Sequence, residues 1–254
     1  LSTHITQFLE YLEVERGRSE RTIKNYDFYL RRFQTWAKNP LPEKISDEMV
    51  RKYRLWLNRQ MHGRDGEALK KSTQNYHLIA LRSLLKYLAK RDISSLAPDK
   101  IELSKQTMRT VEFLEVDELS RLLAAPSKYG EGLIGLRDKS VLELLFSTGL
   151  RVSELSNLKI EQVNLKRDEF TVRGKGDKPR IVFLSSTAKD ALQEYLGRRR
   201  DTSEFMFVSH DRAKGGRTES GSLTPRSIQR IVEYYSKAAG TTKRITPHTL
   251  RHTF

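Results

Sequence analysis

The 254-residue chain contains no cysteine. That excludes disulfides and thiolate metal sites, and it gives no support for secretion. No apolar run approaches the ~18 residues that a membrane span needs, and no charged-then-apolar signal segment opens the chain. Acidic residues are in deficit, with 32 Asp+Glu against 47 Lys+Arg and a formal net charge of +15. A charge so one-sided points beyond a plain basic globular protein to a polyanion or an anionic membrane surface. Without a span or a leader, nucleic acid is the leading partner. Apolar residues at 37% permit a packed core under a highly ionic surface, with 31% of residues charged. The length suits one large domain or two of ordinary size.

The charge is uneven. Residues 1–110 hold 22 Lys+Arg against 13 Asp+Glu, a net of +9, and residues 111–254 hold 25 against 19, a net of +6. The first part reads as wholly helical. In SERTIKNYDFYLRRFQTWAKN, Ile23, Tyr26, Leu30, Phe33 and Ala37 make one apolar stripe behind a Ser19 N-cap. Lys24 and Arg31 share a face away from it. KKSTQNYHLIALRSLLKYLAKRD repeats the plan, with Leu78, Leu81, Leu85 and Leu88 inward and Lys70, Lys71 and Arg82 outside. THITQFLEYLEVERG and SDEMVRKYRLWLNRQMHG add two helices, the latter capped by Ser46 or Asp47, for a four-helix bundle. The candidate DNA-contact residues are Lys24, Arg31, Lys70, Lys71, Ser72, Thr73 and Arg82, on faces that a solvated surface would also explain.

Periodicity is lost around Pro98, and residues 96–112 are read as a linker between domains at 1–95 and 113–254. In the second domain, helices are expected at 115–125, 136–147, 186–198 and 225–239. EFTVRGKGDKPRIVFL alternates around a Gly-rich centre and predicts two strands joined by a tight turn. FMFVS predicts another short strand. The domain is α+β and mainly helical.

Three clusters there could carry chemistry, and each has a plain structural explanation of its own. In STGLRVSELSNL, Gly149 is a natural helix C′ residue, and Arg151 and Glu154 form a surface i,i+3 pair. VRGKGDKPR puts Lys175 at a hairpin tip. HTLRH sets His248 and His252 at i,i+4, but a zinc-protease helix would need Glu where Thr249 stands, so a metal site is rejected. Together, two arginines, a lysine and a histidine suit a phosphodiester under attack. Arginine clamps phosphate oxygens at two points, a lysine among cations gives up its proton more readily, and histidine is a natural base for a hydroxyl. Such a set could do without metal what Mg²⁺ does elsewhere.

TGLRVSELSNL, RGKGDKPRIVFL and HTLRHTF, in this order and spacing, resemble the catalytic domain of tyrosine site-specific recombinases, in particular the compact Xer-type and phage- or transposon-integrase enzymes. The first domain resembles their SAM-like core-binding bundle. The resemblance implies a mainly α protein with a small β-sheet in an α+β catalytic domain. It implies metal-free, cofactor-free strand cleavage and rejoining through a 3′-phosphotyrosine, on duplex DNA with a specific recombination site. Arg151 and Arg251 match the arginines that grip the scissile phosphate, Glu154 the acid that buttresses the first, Lys175 the leaving-group acid and His248 the base. His252 is expected to support the site. A tetramer on DNA, a cytoplasmic, nucleoid-associated location and no membrane partner follow from the same resemblance.

In this family the nucleophilic tyrosine follows the H-x-x-R helix, whereas all ten tyrosines here precede His248. Tyr234 and Tyr235 fall in an apolar-patterned helix, so the chain is expected to be truncated before its nucleophile and to bind DNA without cleaving it. Two rivals remain: a type IB topoisomerase-like enzyme with a similar charge set, and a non-catalytic DNA-binding or architectural protein.

Overall fold

A computed structural model describes residues 1–62, 66–105, 113–174, 178–210 and 221–253. The chain divides into two compact units, Leu1–Met108 and Arg109–Phe254.

The first unit holds α1 (Ser2–Val14), α2 (Glu20–Trp36), α3 (Asp47–Arg59) and α4 (Lys71–Ala89). Helix α4 is its axis and packs against the other three. Leu78, Leu81, Leu84, Leu85 and Leu88 are fully buried or nearly so. They meet Ile5, Phe8, Leu30, Phe33, Val50, Tyr53 and Leu57 in one core. The spacing of three and four that shows in the sequence is thus a real seam. The Ser46 hydroxyl caps α3 by accepting from the Met49 amide. Ser19 occupies the N-cap of α2, but its hydroxyl pairs with Thr22 Oγ1 at 3.0 Å instead of a backbone amide. His77 sits inside the aromatic part of this core, 3.0 Å from the Tyr53 hydroxyl. Burial pushes it down to about 4, helped by the charge of Arg32, so the ring is neutral and structural.

Part of the segment expected as a linker is fastened to this unit. Ile101 is fully buried in the first core, and the Asn75 side chain both donates to the Ser104 carbonyl (2.9 Å) and accepts from its amide (3.1 Å).

The second unit is built on α6 (Gly132–Thr148), against which α5 (Val116–Tyr129), α8 (Ser186–Arg198), α9 (Pro225–Ala238) and α10 (Pro247–Thr253) pack. The short α7 (Val152–Ser156), a 3₁₀ turn at Ile160–Gln162 and an antiparallel hairpin, β1 (Glu169–Arg173) with β2 (Pro179–Phe183), complete it among the described residues. The register pairs Phe170 with Val182 and Val172 with Arg180. Phe170, Val172 and Val182 turn inward to the core, while Ile181 and Phe183 are exposed. The strand expected at FMFVS does not form. That segment makes only single bridges, Lys159↔Phe205 and Val208↔Ser222. Met206, Phe207 and Val208 are all buried in succession, so no alternating face exists to set a ladder register. Among the described residues, no helix is long and apolar enough to cross a membrane.

Candidate active site

The site begins at the end of α6. Gly149 is the C-cap, with φ +55° in the left-handed region, where a side chain would be strained. The turn it makes sends the chain through Leu150, which is buried, to Arg151 at the N-cap of α7. Three residues on, Glu154 reaches back. Its Oε2 accepts from the Arg151 amide at 2.7 Å and its Oε1 from the Arg151 guanidinium at 2.7 Å. The i,i+3 pair read from the sequence is therefore also the cap of the helix.

A third residue closes the cluster. Arg180 on β2 donates Nη1 to Oε1 at 2.9 Å and Nη2 to Oε2 at 2.7 Å, a two-point grip on the same carboxylate. A carboxylate has about four acceptor positions, and all four of Glu154 are occupied. Burial pushes the Glu154 carboxyl up, but the hydrogen bonds from Arg180 and from the Arg151 amide and side chain, with the charge of Arg180, overcome this and hold it down to about 2. It is an anion throughout the neutral range.

Helix α10 delivers Arg251. Thr246 and Thr249 cap it reciprocally, each hydroxyl accepting from the other's amide at 3.2 Å. Pro247 occupies the first helical position, where its missing N–H costs nothing. Leu250 is fully buried, and Thr253 Oγ1 accepts from the Leu114 amide at 3.0 Å. Arg251 then donates Nη1 to the carbonyl of Gly149. Burial holds its guanidinium below the ordinary range, and so do the charges of Arg151 and Arg180, with Glu154 opposing. Among the described residues, three guanidiniums thus crowd one carboxylate, an excess of positive charge of the kind that receives an oxyanion.

The structure brings Arg151, Glu154 and Arg251 together. His248 and His252 share the exposed face of α10. Lys175 lies outside the described residues. Among the described residues no group of His, Asp and Glu could hold a metal ion. The sequence reasoning missed Arg180. Its signal was the alternation of PRIVF, which puts residue 180 on the same side as Val182, and the register that sets it beside Val172.

In the first unit, Lys70, Lys71 and Lys24 are exposed, with Lys24 paired to Glu20 at 2.6 Å. Ser72 and Thr73 are half-buried in the first turn of α4. Arg31 is half-exposed, and its donors are engaged within the unit. Its guanidinium donates to Asp27 (3.1 Å), Ser2 (3.0 Å), Gln34 (3.2 Å) and Thr6 (3.0 Å), joining α2 to α1. Arg82 is half-buried and bonded at 3.1 Å to exposed Asp99, in the 3₁₀ turn at Pro98–Lys100.

Comparison with known proteins gives the family. The Phage integrase family model matches residues 112–254. The chain belongs to the phage integrase family. The family's N-terminal SAM-like domain model matches residues 5–92. Among curated relatives, "Tyrosine recombinase XerC" of Thermodesulfovibrio yellowstonii is 35% identical over 99% of this chain and 81% of its own length. XerC of Pelobacter propionicus is 36% identical, over 100% and 81%, and XerD of Listeria monocytogenes 32%, over 98% and 82%. Such relatives are DNA breaking–rejoining enzymes, and the family assignment makes this chain a site-specific recombinase. In fold it is similar to a lambda integrase(75-356) dimer bound to a COC′ core site (TM-score 0.74, 16% identity, 100% of this chain and 87% of that one). It is also similar to the XerH recombinase in a post-cleavage complex (TM-score 0.71, 21% identity, 98% and 72%).

Proposed function

We propose that the Arg151–Glu154–Arg251 cluster holds the scissile phosphate of duplex DNA during strand exchange. One observation carries this reading. Glu154 has all its acceptor positions filled, whereas Arg151 gives it only Nη1 and its own amide. Among the described residues, Nη2 and Nε of Arg151 have no partner, and its side chain is 40% exposed. A two-point fork is left facing outward beside a second guanidinium, which suits the non-bridging oxygens of a phosphodiester.

In the reaction so read, a tyrosine hydroxyl attacks phosphorus and the bond from phosphorus to O5′ breaks. His248 accepts the hydroxyl proton, Lys175 donates one to O5′, and Arg151 and Arg251 carry the charge that builds on the phosphoryl oxygens. His252 supports the site. Tyr235 is not the attacking group in this reading. Its hydroxyl donates to buried Asp138 at 3.2 Å, and burial followed by that carboxylate pushes its ionisation up. The wider proposal is that the chain acts as a tetramer on a specific duplex site, in the cytoplasm with its DNA. The first unit supplies phosphate contacts through Lys70, Lys71, Ser72, Thr73 and Lys24. Residues 1–95 and 113–254 are proposed as the binding and catalytic domains.

The test of the leaving-group assignment uses the gene-encoded full-length protein. Lys175→Ala should slow cleavage of ordinary DNA severely, and a 5′-bridging sulfur, which departs without a proton, should restore much of the rate. No rescue would remove Lys175 from the acid role.

A further inference from the structure

We infer that Arg180 is a positioning residue for the recombinase reaction, one that fixes Arg151 through Glu154 and does not itself grip the phosphate. The inference rests on the phosphate-site reading above and assigns a part to a residue that the motifs do not single out. The argument is one of donors. Arg151 and Arg180 meet the same carboxylate differently. Arg180 commits both terminal nitrogens of its fork to Glu154, so the edge that would clamp two phosphate oxygens is already in use. Arg151 commits one terminal nitrogen. Exposure follows the same order, with 40% for the Arg151 side chain, 29% for Arg180 and 11% for Glu154.

A carboxylate on a single-turn helix, held by one arginine, would be free to rotate. The two-point grip of Arg180 removes that rotation, because both oxygens are fixed in the plane of the guanidinium. Glu154 Oε1 is then a fixed acceptor for Arg151 Nη1, and the orientation of the Arg151 fork is set before DNA arrives. The same contact ties the hairpin to α7, since Arg180 stands on β2 and Glu154 on the helix. Gly174 shows how close this packing is. Its amide donates to the Lys178 carbonyl at 2.9 Å. A β-carbon added there would lie 3.1 Å from Arg180 Nη1 and 3.6 Å from Arg151 Nη1. A side chain at 174 would therefore press on the Arg180 guanidinium and lie in ordinary contact with that of Arg151. Gly174 thus leaves the space in which the two guanidiniums lie side by side.

The experiment is a double-mutant cycle in the gene-encoded full-length protein. Single-turnover cleavage is read on a nicked duplex whose sequence is selected by binding to the wild type. Arg180→Met should slow cleavage about 10- to 100-fold, the scale of a misplaced fork, with duplex affinity little changed. Arg180→Lys, which keeps the charge and loses the two-point grip, should restore only a minor part. In an Arg151→Met background, adding Arg180→Met should cost almost nothing more, because the residue through which it acts is gone. Multiplicative effects of the two substitutions would overturn the inference and make Arg180 an independent phosphate ligand. A wild-type rate in Arg180→Met would overturn it too.

A second measurement does not depend on cleavage. Relaxation of a ¹⁵N-labelled Arg151 side chain in the 254-residue chain should show an ordered group in the wild type and a mobile one in Arg180→Met, at a matched unfolding midpoint. If the wild type does not cleave, the phosphate-site reading fails, and this measurement alone decides whether Arg180 orders Arg151. An Arg151 side chain equally ordered in both proteins refutes the positioning role.

Discussion

Arg31 in the first unit and Arg151 in the second begin alike. Each is paired with a carboxylate on its own helix, Arg31 with Asp27 at i,i−4 and Arg151 with Glu154 at i,i+3. Their side chains are comparably exposed, at 37% and 40%. Their surroundings part them. The donors of Arg31 go to four side chains on α1 and α2, and the residue works as a fastener. Arg151 keeps side-chain donors in reserve because it meets Glu154 with its amide and one guanidinium nitrogen, whereas Arg180 gives both terminal nitrogens, and Arg251 crowds it with like charge. A functional arginine is recognised less by its partner than by the hydrogen bonds it leaves unmade at a site that does not compensate its charge.

The largest test of this contrast is kinetic. Arg151→Ala in the full-length protein should lower single-turnover cleavage by about 10²- to 10³-fold, the usual cost of removing one oxyanion donor, while Arg31→Ala cleaves at the wild-type rate. Loss of cleavage in Arg31→Ala with an unchanged melting curve would erase the distinction.

Stability should respond in the opposite sense. Arg31→Ala removes four hydrogen bonds, two of them between α2 and α1, and should destabilise the first unit by about 1–2 kcal/mol in a denaturant titration. Arg151→Ala relieves repulsion from Arg251 as it loses a pair, and should cost less than that.

The state of Glu154 sharpens the comparison through pH. Its folded value, about 2, lies below its ordinary value of 4.5. A depressed carboxylate stabilises the fold above the ordinary value and loses that contribution as pH falls through the folded one. The stability difference between wild type and Glu154→Gln should therefore be full above about pH 4.5 and shrink towards pH 2. A difference independent of pH would show that the carboxylate is not held as an anion by its arginines.

Smaller effects belong to the exposed cations. Lys70→Ala with Lys71→Ala should weaken binding to all duplex sequences alike and flatten the slope of log K against log salt by about 0.9 for each phosphate no longer neutralised. Unchanged affinity and slope would take these lysines out of the interface. Lys24→Ala breaks only an exposed i,i+4 pair with Glu20, and its unfolding midpoint should stay at the wild-type value.

Local structure and family membership were legible in the residues alone. Spacings of three and four located the helices, a cap at Ser46 or Asp47 and a helix end at Gly149 were readable from residue type, and TGLRVSEL with HTLRH pointed to Arg151, Glu154 and Arg251, which the fold brings together. These features depend on neighbours within one turn, where backbone geometry leaves few choices. Pairings between residues far apart along the chain were legible only in the folded molecule. The strand read at FMFVS dissolved into single bridges because its partners, at Lys159 and Ser222, each offer one residue. Arg31 turned out to be occupied because α1 lies against α2, a packing that no spacing within α2 reveals. Arg180 reached Glu154, 26 positions away in the chain, because the hairpin register set its side chain at the inner end of β2. Which donors an arginine has left over is a property of the whole packed surface, and it exists only once distant elements have met.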